Sequence, residues 1–357
     1  MTKLKHIANQ AKFCFGGTRP VTGPLKVFWE ITHRCNSRCI NCDMWQKKAT
    51  PEMSAAHALN LVEQISDIGA LHLSISGGET FLRNDIFDIL ESAKKKGLKI
   101  SVNSNALLLN REKIKHLCEL QVESTYISLD GATDESNQAI RGVKEGFRRA
   151  LDAVAFFKDC SKNGKSKVFI NTTINHLNAF ELRQIADIVS NSEADGWTMS
   201  VVQNVDIYKP KPEVLLTPDD IKEIEKAIHD IRKKYPRILP HMSEYFNNFR
   251  NSVLYPAKLY QYRCVAGYLT MMIHPNGDVF SCPVAFEKTG NVLEKSLKEI
   301  WFNEMQDLRE RIKKGKHPVC WFDCISPINI LMSCFAPSKW HKLLEPSFLK
   351  HLFHKAF

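Results

Sequence analysis

The sequence has no apolar run near the ~18 continuous residues that a membrane-spanning helix requires. Its N-terminus, Met1 to Phe15, holds three lysines but no long apolar stretch, so no secretory signal is expected there. Internal repeats and low-complexity segments are absent as well. These absences exclude a polytopic membrane protein, a repeat array and a disordered chain. What remains is a globular composition, 44% hydrophobic and 25% charged over 357 residues, enough chain for a large core and about two domains. Acidic residues are the scarcer charge, 39 against 49 basic, for a net +10. That excess admits nucleic acid, acidic lipid or an anionic substrate as a partner, or simply a basic solvated surface. Cysteine is abundant by contrast. There are eleven, an odd number, in a large chain without an export signal. Metal ligation or redox chemistry is therefore expected rather than a disulfide framework.

Apolar periodicity divides the chain. Residues 1–24 form a basic lead-in containing glycine and proline. Residues 25–205 then alternate six expected strands (25–31, 71–76, 98–103, 124–129, 167–174, 196–202) with five expected helices (54–68, 84–96, 110–120, 144–161, 178–192). Such alternation implies right-handed βαβ units and a parallel sheet, either doubly wound or a partial barrel, since six units are fewer than the eight of a closed barrel. Residues 206–263 are proline-punctuated around one helical stretch near 219–234 and read as a connector. Residues 264–337 are short-stranded and cysteine-rich, suggesting a small second domain, and 338–357 form a basic tail.

The strongest chemical signal is Cys35-x3-Cys39-x2-Cys42, directly after the first strand. Thiolates at these spacings can converge on one metal centre. A structural zinc site wants four ligands, whereas a [4Fe–4S] cluster can leave one iron open to a small molecule. The cluster is the favoured reading; zinc completed by His33 or Asp43 is the alternative. Gly77-Gly78-Glu79 ends the second strand, at the sheet edge where α/β folds bind ligands. The glycines permit close backbone approach, and Glu79 offers acceptors for an ammonium group. Ser128 and Asp130 end the fourth strand on one face and would grip sugar hydroxyls, while Arg141 would hold a carboxylate bidentately or form a surface ion pair.

Together these residues resemble the radical S-adenosylmethionine (SAM) superfamily over roughly residues 25–205. The resemblance implies an α/β fold, a partial (β/α)6 TIM-like barrel, with a SAM-binding [4Fe–4S] cluster on Cys35, Cys39 and Cys42. It implies reductive cleavage of SAM to a 5′-deoxyadenosyl radical that takes hydrogen from a substrate. It also implies that Gly77, Gly78 and Glu79 meet the methionine amino group, that Ser128 and Asp130 lie near the ribose, and that Arg141 lies near the carboxylate. Asn103, Asn171 and Thr173 would line the cavity. Asn41 stands where the family often has an aromatic residue against adenine, and Trp45 would compensate; Thr80 stands where proline is common.

In the C-terminal part, expected strands 269–273 and 278–281 flank Pro275-Asn276-Gly277, a hairpin signal with Cys264 and Cys282 at its ends. Cys320-x3-Cys324 and Cys334 follow, giving four or five thiols for one more centre, iron–sulfur or a structural zinc ribbon. The pattern resembles the SPASM or shorter twitch domain of radical SAM enzymes, with Gly290-Asn291-Val292, Leu297, Ile300 and Trp301 fitting the segment after the hairpin. The resemblance implies one auxiliary [4Fe–4S] cluster on Cys264, Cys282 and Cys320, with Cys324 and Cys334 competing for the fourth place. Cys118 and Cys160 read as ordinary helix residues, and His72, His116, His176 and His274 as structural. Asp206 and Tyr208 would reach the cavity or be plain loop residues.

The expected function is a radical SAM enzyme acting on a peptide, or on a small molecule or lipid, with a reductase, flavodoxin or ferredoxin as electron donor. Without an RNA-binding module, an RNA-modifying enzyme is the weaker alternative and nucleic acid is not expected as a partner; a non-catalytic zinc-binding protein is the third. The tail sets Trp340, Leu343, Leu344, Phe348, Leu349, Leu352 and Phe353 among Lys339, Lys342, Lys350 and Lys355. It would pack back on the barrel or lie on an anionic membrane. A cytoplasmic location is expected, with peripheral contact at the inner membrane surface if the tail takes the second course.

Overall fold

The structure, a computed structural model, describes residues 2–46, 50–161, 164–205, 210–284 and 287–335. Asp206, Tyr208 and the tail lie outside the described residues. The chain opens with α1 (Thr2–Cys14), where only a lead-in was expected, then runs β1 (Lys26–Thr32), α2 (Ala55–Asp67), β2 (His72–Gly77), α3 (Ile86–Lys95), β3 (Lys99–Ser104), α4 (Arg111–Glu119) and β4 (Ser124–Ser128). Next come α5 (Asp134–Arg141), α6 (Gly146–Cys160), β5 (Lys167–Ile174), α7 (Leu182–Asn191), β6 (Gly196–Val201), α8 (Pro218–Lys234), α9 (Ser243–Asn247) and α10 (Phe249–Leu254). The C-terminal part holds β7 (Thr270–Ile273), β8 (Asp278–Phe280), β9 (Gly290–Asn291), α11 (Leu297–Glu299), α12 (Gln306–Lys313) and α13 (Ser326–Cys334).

Among the described residues, nine strands form one sheet in the order β6-β5-β4-β3-β2-β1-β7-β8-β9. Strands β1 to β6 pair in parallel, in sequence order, each joined to the next through helix, as right-handed βαβ units require. This is the partial barrel. Along β1, Val27, Trp29 and Ile31 join the main core with Ala58, Leu61, Val62 and Ile65 of α2, while Phe28 turns to the other face against Met272 and Phe280. The α2 start is fixed by Ser54, whose hydroxyl accepts from His57 N; α8 starts with a Thr217–Asp220 capping box and Pro218 in its first turn.

Two segments are more integral than their composition suggests. The stretch read as a connector contributes Ile221, Ile224, Ala227, Ile228 and Ile231 of α8, with Tyr245, Phe246 and Phe249, to the main core. The cysteine-rich part is joined to the barrel through the sheet itself: β7 pairs in parallel with β1, and the β7–β8 hairpin continues outward from there. Trp301 is fully buried and donates its indole N–H to Thr22 O at 2.9 Å, tying this part to the N-terminal segment.

Candidate functional site

The cysteine loop leaves β1 at its C-terminal end and is held on three sides. Gly78 N donates to Thr32 O and Glu79 N to Arg34 O, both at 2.8 Å. This close approach is what the two glycines permit. A Cβ on Gly77 would stand 2.2 Å from Thr32 O, one on Gly78 2.1 Å from Arg34 O, and Gly77 has φ +134°. On another side, Arg38 N and Ile40 N donate to Arg141 O and Ile140 O at the end of α5. On the third, Asn105 Nδ2 donates to Asn36 Oδ1 and Ser37 Oγ at 2.7 and 2.9 Å.

The loop presents Cys35, Cys39 and Cys42 to a cavity of about 300 Å³ at the C-terminal edge of the strands. Asn41, Trp45, Gly77, Gly78, Asn103, Ser128, Arg141, Asn171 and Thr173 also line it. Trp45 is fixed there by its indole N–H, which donates to Cys39 O at 3.2 Å. His33 does not complete the thiol set: its ring nitrogens lie 2.8 Å from Thr50 Oγ1 and 2.8 Å from Glu30 Oε2.

Two expected contacts are absent from the cavity wall. Glu79 is wholly buried, and its carboxylate accepts from Ser104 Oγ, Asn105 N and Phe81 N. It therefore shapes the loop after β3, and it does not line the cavity. Asp130, 1% exposed, accepts from Arg141 Nη1 at 3.0 Å and from Thr173 N at 2.7 Å. The carboxylate expected near a sugar is thus turned onto Arg141, and its task is to aim that guanidinium. Burial alone would lower the Arg141 pKa, but Cys39, Asp130 and Cys35 around it hold it above the ordinary arginine value.

Burial raises all three thiol pKa values, that of Cys42 to about 11, and neighbouring thiols further oppose the ionisation of Cys35 and Cys42. Three thiols gathered in a low-dielectric wall are costly as free thiolates and well suited to a cationic iron centre, which supplies the missing countercharge. The glycine edge and the Arg141 guanidinium beside them fit an amino acid moiety.

The far wall comes from residues that the sequence reading did not single out: Ser200, Val201, Val202, Gln203, Phe322 and Asp323. Gln203 makes a two-way link with the Trp321 backbone, accepting from its N–H at 2.8 Å and donating to its O at 2.7 Å. Ser200 Oγ donates to Asp323 Oδ1 and accepts from Asp323 N, both at 3.1 Å. The end of β6 thereby pins the segment carrying Cys320 and Cys324. The only sequence signal for Asp323 was its place between two cysteines.

Cys264, Cys282, Cys320 and Cys324 share one apolar cluster with Val265, Leu269 and Ile325. Burial dominates the raised pKa values of Cys264, Cys320 and Cys324, that of Cys264 reaching about 12, and Cys320 feels all three of the other thiols. Cys334 is buried and packs in the main core. Four converging thiols in apolar surroundings fit a second iron centre by the same argument as the first.

Comparison with known proteins agrees with this geometry. The radical SAM superfamily profile matches residues 29–189, and that of the SPASM iron–sulfur cluster-binding domain matches 264–325. The AdoMet-dependent heme synthase of Methanosarcina barkeri is 25% identical over 319 residues, 83% of this chain and 88% of that protein. The PqqA peptide cyclase of Rhizobium meliloti is 25% identical over 294 residues, 78% and 74% of the two chains. Streptococcus suis SuiB bound to S-adenosylmethionine superposes with a TM-score of 0.65 at 20% identity, covering 81% of this chain and 68% of that one.

Proposed function

Since the chain belongs to the radical SAM superfamily and carries a SPASM domain, we propose that it removes a hydrogen atom from a peptide or small-molecule substrate bound between its two cysteine groups. In this reading Cys35, Cys39 and Cys42 hold the SAM-binding [4Fe–4S] cluster, and Cys264, Cys282, Cys320 and Cys324 hold one auxiliary [4Fe–4S] cluster. When bound and reduced, the first cluster supplies the electron that cleaves SAM to the 5′-deoxyadenosyl radical. The chain's own residues bind and orient. Arg141, aimed by Asp130, would hold the SAM carboxylate. Gly77 and Gly78 would present backbone to its amino group, and Ser128, Asn103, Asn171 and Thr173 would offer polar partners along the strand ends.

The observation that carries the proposal is the shared wall. One cavity is bounded by the three-cysteine loop on one side and by Phe322 and Asp323, from between the auxiliary cysteines, on the other. A substrate there would lie beside the three-cysteine loop and against the segment that carries Cys320 and Cys324. The named activities of the relatives span a peptide cyclase and a heme synthase, so both substrate classes are consistent with the family. A flavodoxin, ferredoxin or reductase would supply the electron, and the basic tail would favour peripheral contact with an anionic membrane.

The division of labour can be tested by replacing Cys264 and Cys282 with alanine. Slow 5′-deoxyadenosine formation without substrate should persist while product formation is lost. Loss of 5′-deoxyadenosine in a folded variant that keeps the first cluster would contradict it.

A further inference from the structure

Helix α1 is divided into sectors that packing against the other described residues does not explain. At about 100° per residue, His6, Asn9 and Phe13 fall on one side, and all three are buried. His6 Nε2 lies 2.8 Å from Gly69 O, and Asn9 Oδ1 accepts from Val21 N at 2.8 Å. The opposite side should be polar in a helix that merely faces water. Instead it carries Leu4, Ile7, Ala8 and Ala11, extended by Phe15 just past the helix end, within one sector of about 100°. Leu4 is 71% exposed, Ile7 55% and Phe15 72%.

Charge is arranged around this stripe. Lys5 and Lys12 are exposed along one flank and Lys3 along the other. Residues 1–24 contain Lys3, Lys5, Lys12 and Arg19 and no acidic residue. Lys313 of α12 adds a cation near Gly16, where its Nζ would stand 3.9 Å from an added Cβ. Glu310, on the same helix, is engaged by Thr18.

An apolar centre between lysine flanks is the cross-section of a helix lying in a lipid interface, with alkyl groups among the acyl chains and ammonium groups at the phosphates. We propose that the outer face of α1 docks on an anionic lipid bilayer. The charge complementarity selects acidic lipid over a neutral apolar partner. This adds a built surface to the peripheral-membrane reading and rests on α1 alone, independently of the tail and of the radical chemistry.

The test is flotation of the full-length, cluster-loaded protein with vesicles of phosphatidylcholine, alone or with about one-third phosphatidylglycerol. Wild type should float with the acidic vesicles, far less with neutral ones, and less as salt rises. The triple variant Leu4→Ser, Ile7→Ser, Phe15→Ser should partition at least about tenfold more weakly, with iron content and 5′-deoxyadenosine formation unchanged. A second variant, with Lys339, Lys342, Lys350 and Lys355 changed to glutamine, separates the two membrane readings. Retained binding by the α1 variant alongside loss by the tail variant would overturn the α1 proposal and leave the tail reading standing. Failure of wild type to bind acidic vesicles would overturn both. A triple variant that shifts from dimer to monomer while still floating would assign the stripe to a second copy of this chain and overturn the lipid proposal.

Discussion

At the scale of single residues, the site depends on backbone approach and on carboxylates that aim other groups. Gly78→Ala would drive a Cβ into the Arg34 carbonyl, a backbone atom with nowhere to move. The expected outcome is a lower melting temperature and loss of the first cluster's iron, read by iron analysis; normal iron content would contradict the packing argument. Asp130→Asn leaves Arg141 without its charged partner. Because Asp130 acts through Arg141, the expected effect is a rise of about tenfold in KM for SAM, from a charge-assisted bond of ~1.5–3 kcal/mol, with kcat much less affected. A collapse of kcat at unchanged KM would place Asp130 in the chemistry itself. Cys324→Ala should abolish the auxiliary cluster, whereas Cys334→Ala should retain its iron, because Cys324 and Cys282 each oppose the ionisation of Cys320 and Cys282 opposes that of Cys324. The sequence carried the cysteine loop and the glycine pair, whose meaning lies in local spacing. The directions of Glu79 and Asp130 were not legible. Each side chain is turned by partners from other elements, Ser104 and Asn105 for one and Arg141 and Thr173 for the other.

At the scale of elements, the six parallel strands were legible because each is a short apolar run bounded by turn signals, and β5 matches its expected range of 167–174. Helix α5 was not. It is eight residues long with Ile140 as its one large apolar side chain, too little to register as a period. The pairing of β7 with β1 was equally hidden, since it joins segments about 240 residues apart through backbone hydrogen bonds that any side chain allows. The role of α8 followed from its periodicity once the sheet was in place. Ile224→Ala there should cost about 2–5 kcal/mol of stability through a core cavity, seen as a lower melting temperature with both clusters still loaded at room temperature. A neutral result would mean that α8 does not share the barrel core. Gln203, two residues past β6, holds the Trp321 backbone through two hydrogen bonds, so Gln203→Ala should loosen the auxiliary segment and reduce product formation more than 5′-deoxyadenosine formation.

At the scale of the whole molecule, the two cysteine groups form one functional body because the sheet runs unbroken from β6 to β9 and the cavity is walled by both halves. The barrel interior also sets a pH response. Burial, with Lys26 and Lys99 nearby, pushes the His72 pKa down to about 3 from 6.5. Below about pH 6.5 the unfolded chain therefore binds a proton that the folded chain refuses. Stability falls as pH drops from there toward 3, by at most about 1.4 kcal/mol per pH unit from this group. His72→Gln should lessen the fall in the denaturation midpoint between pH 7 and 5; an identical fall would remove His72 from the account. The central claim is that this chain loads two iron–sulfur clusters and cleaves SAM with one of them. It is tested most directly by anaerobic reconstitution, analysis of iron, sulfide and zinc, then reduction with SAM and assay of 5′-deoxyadenosine. The account predicts about eight irons per chain, 5′-deoxyadenosine formed, and about four irons with no 5′-deoxyadenosine in Cys35→Ala. Stoichiometric zinc, no iron and intact SAM would contradict it.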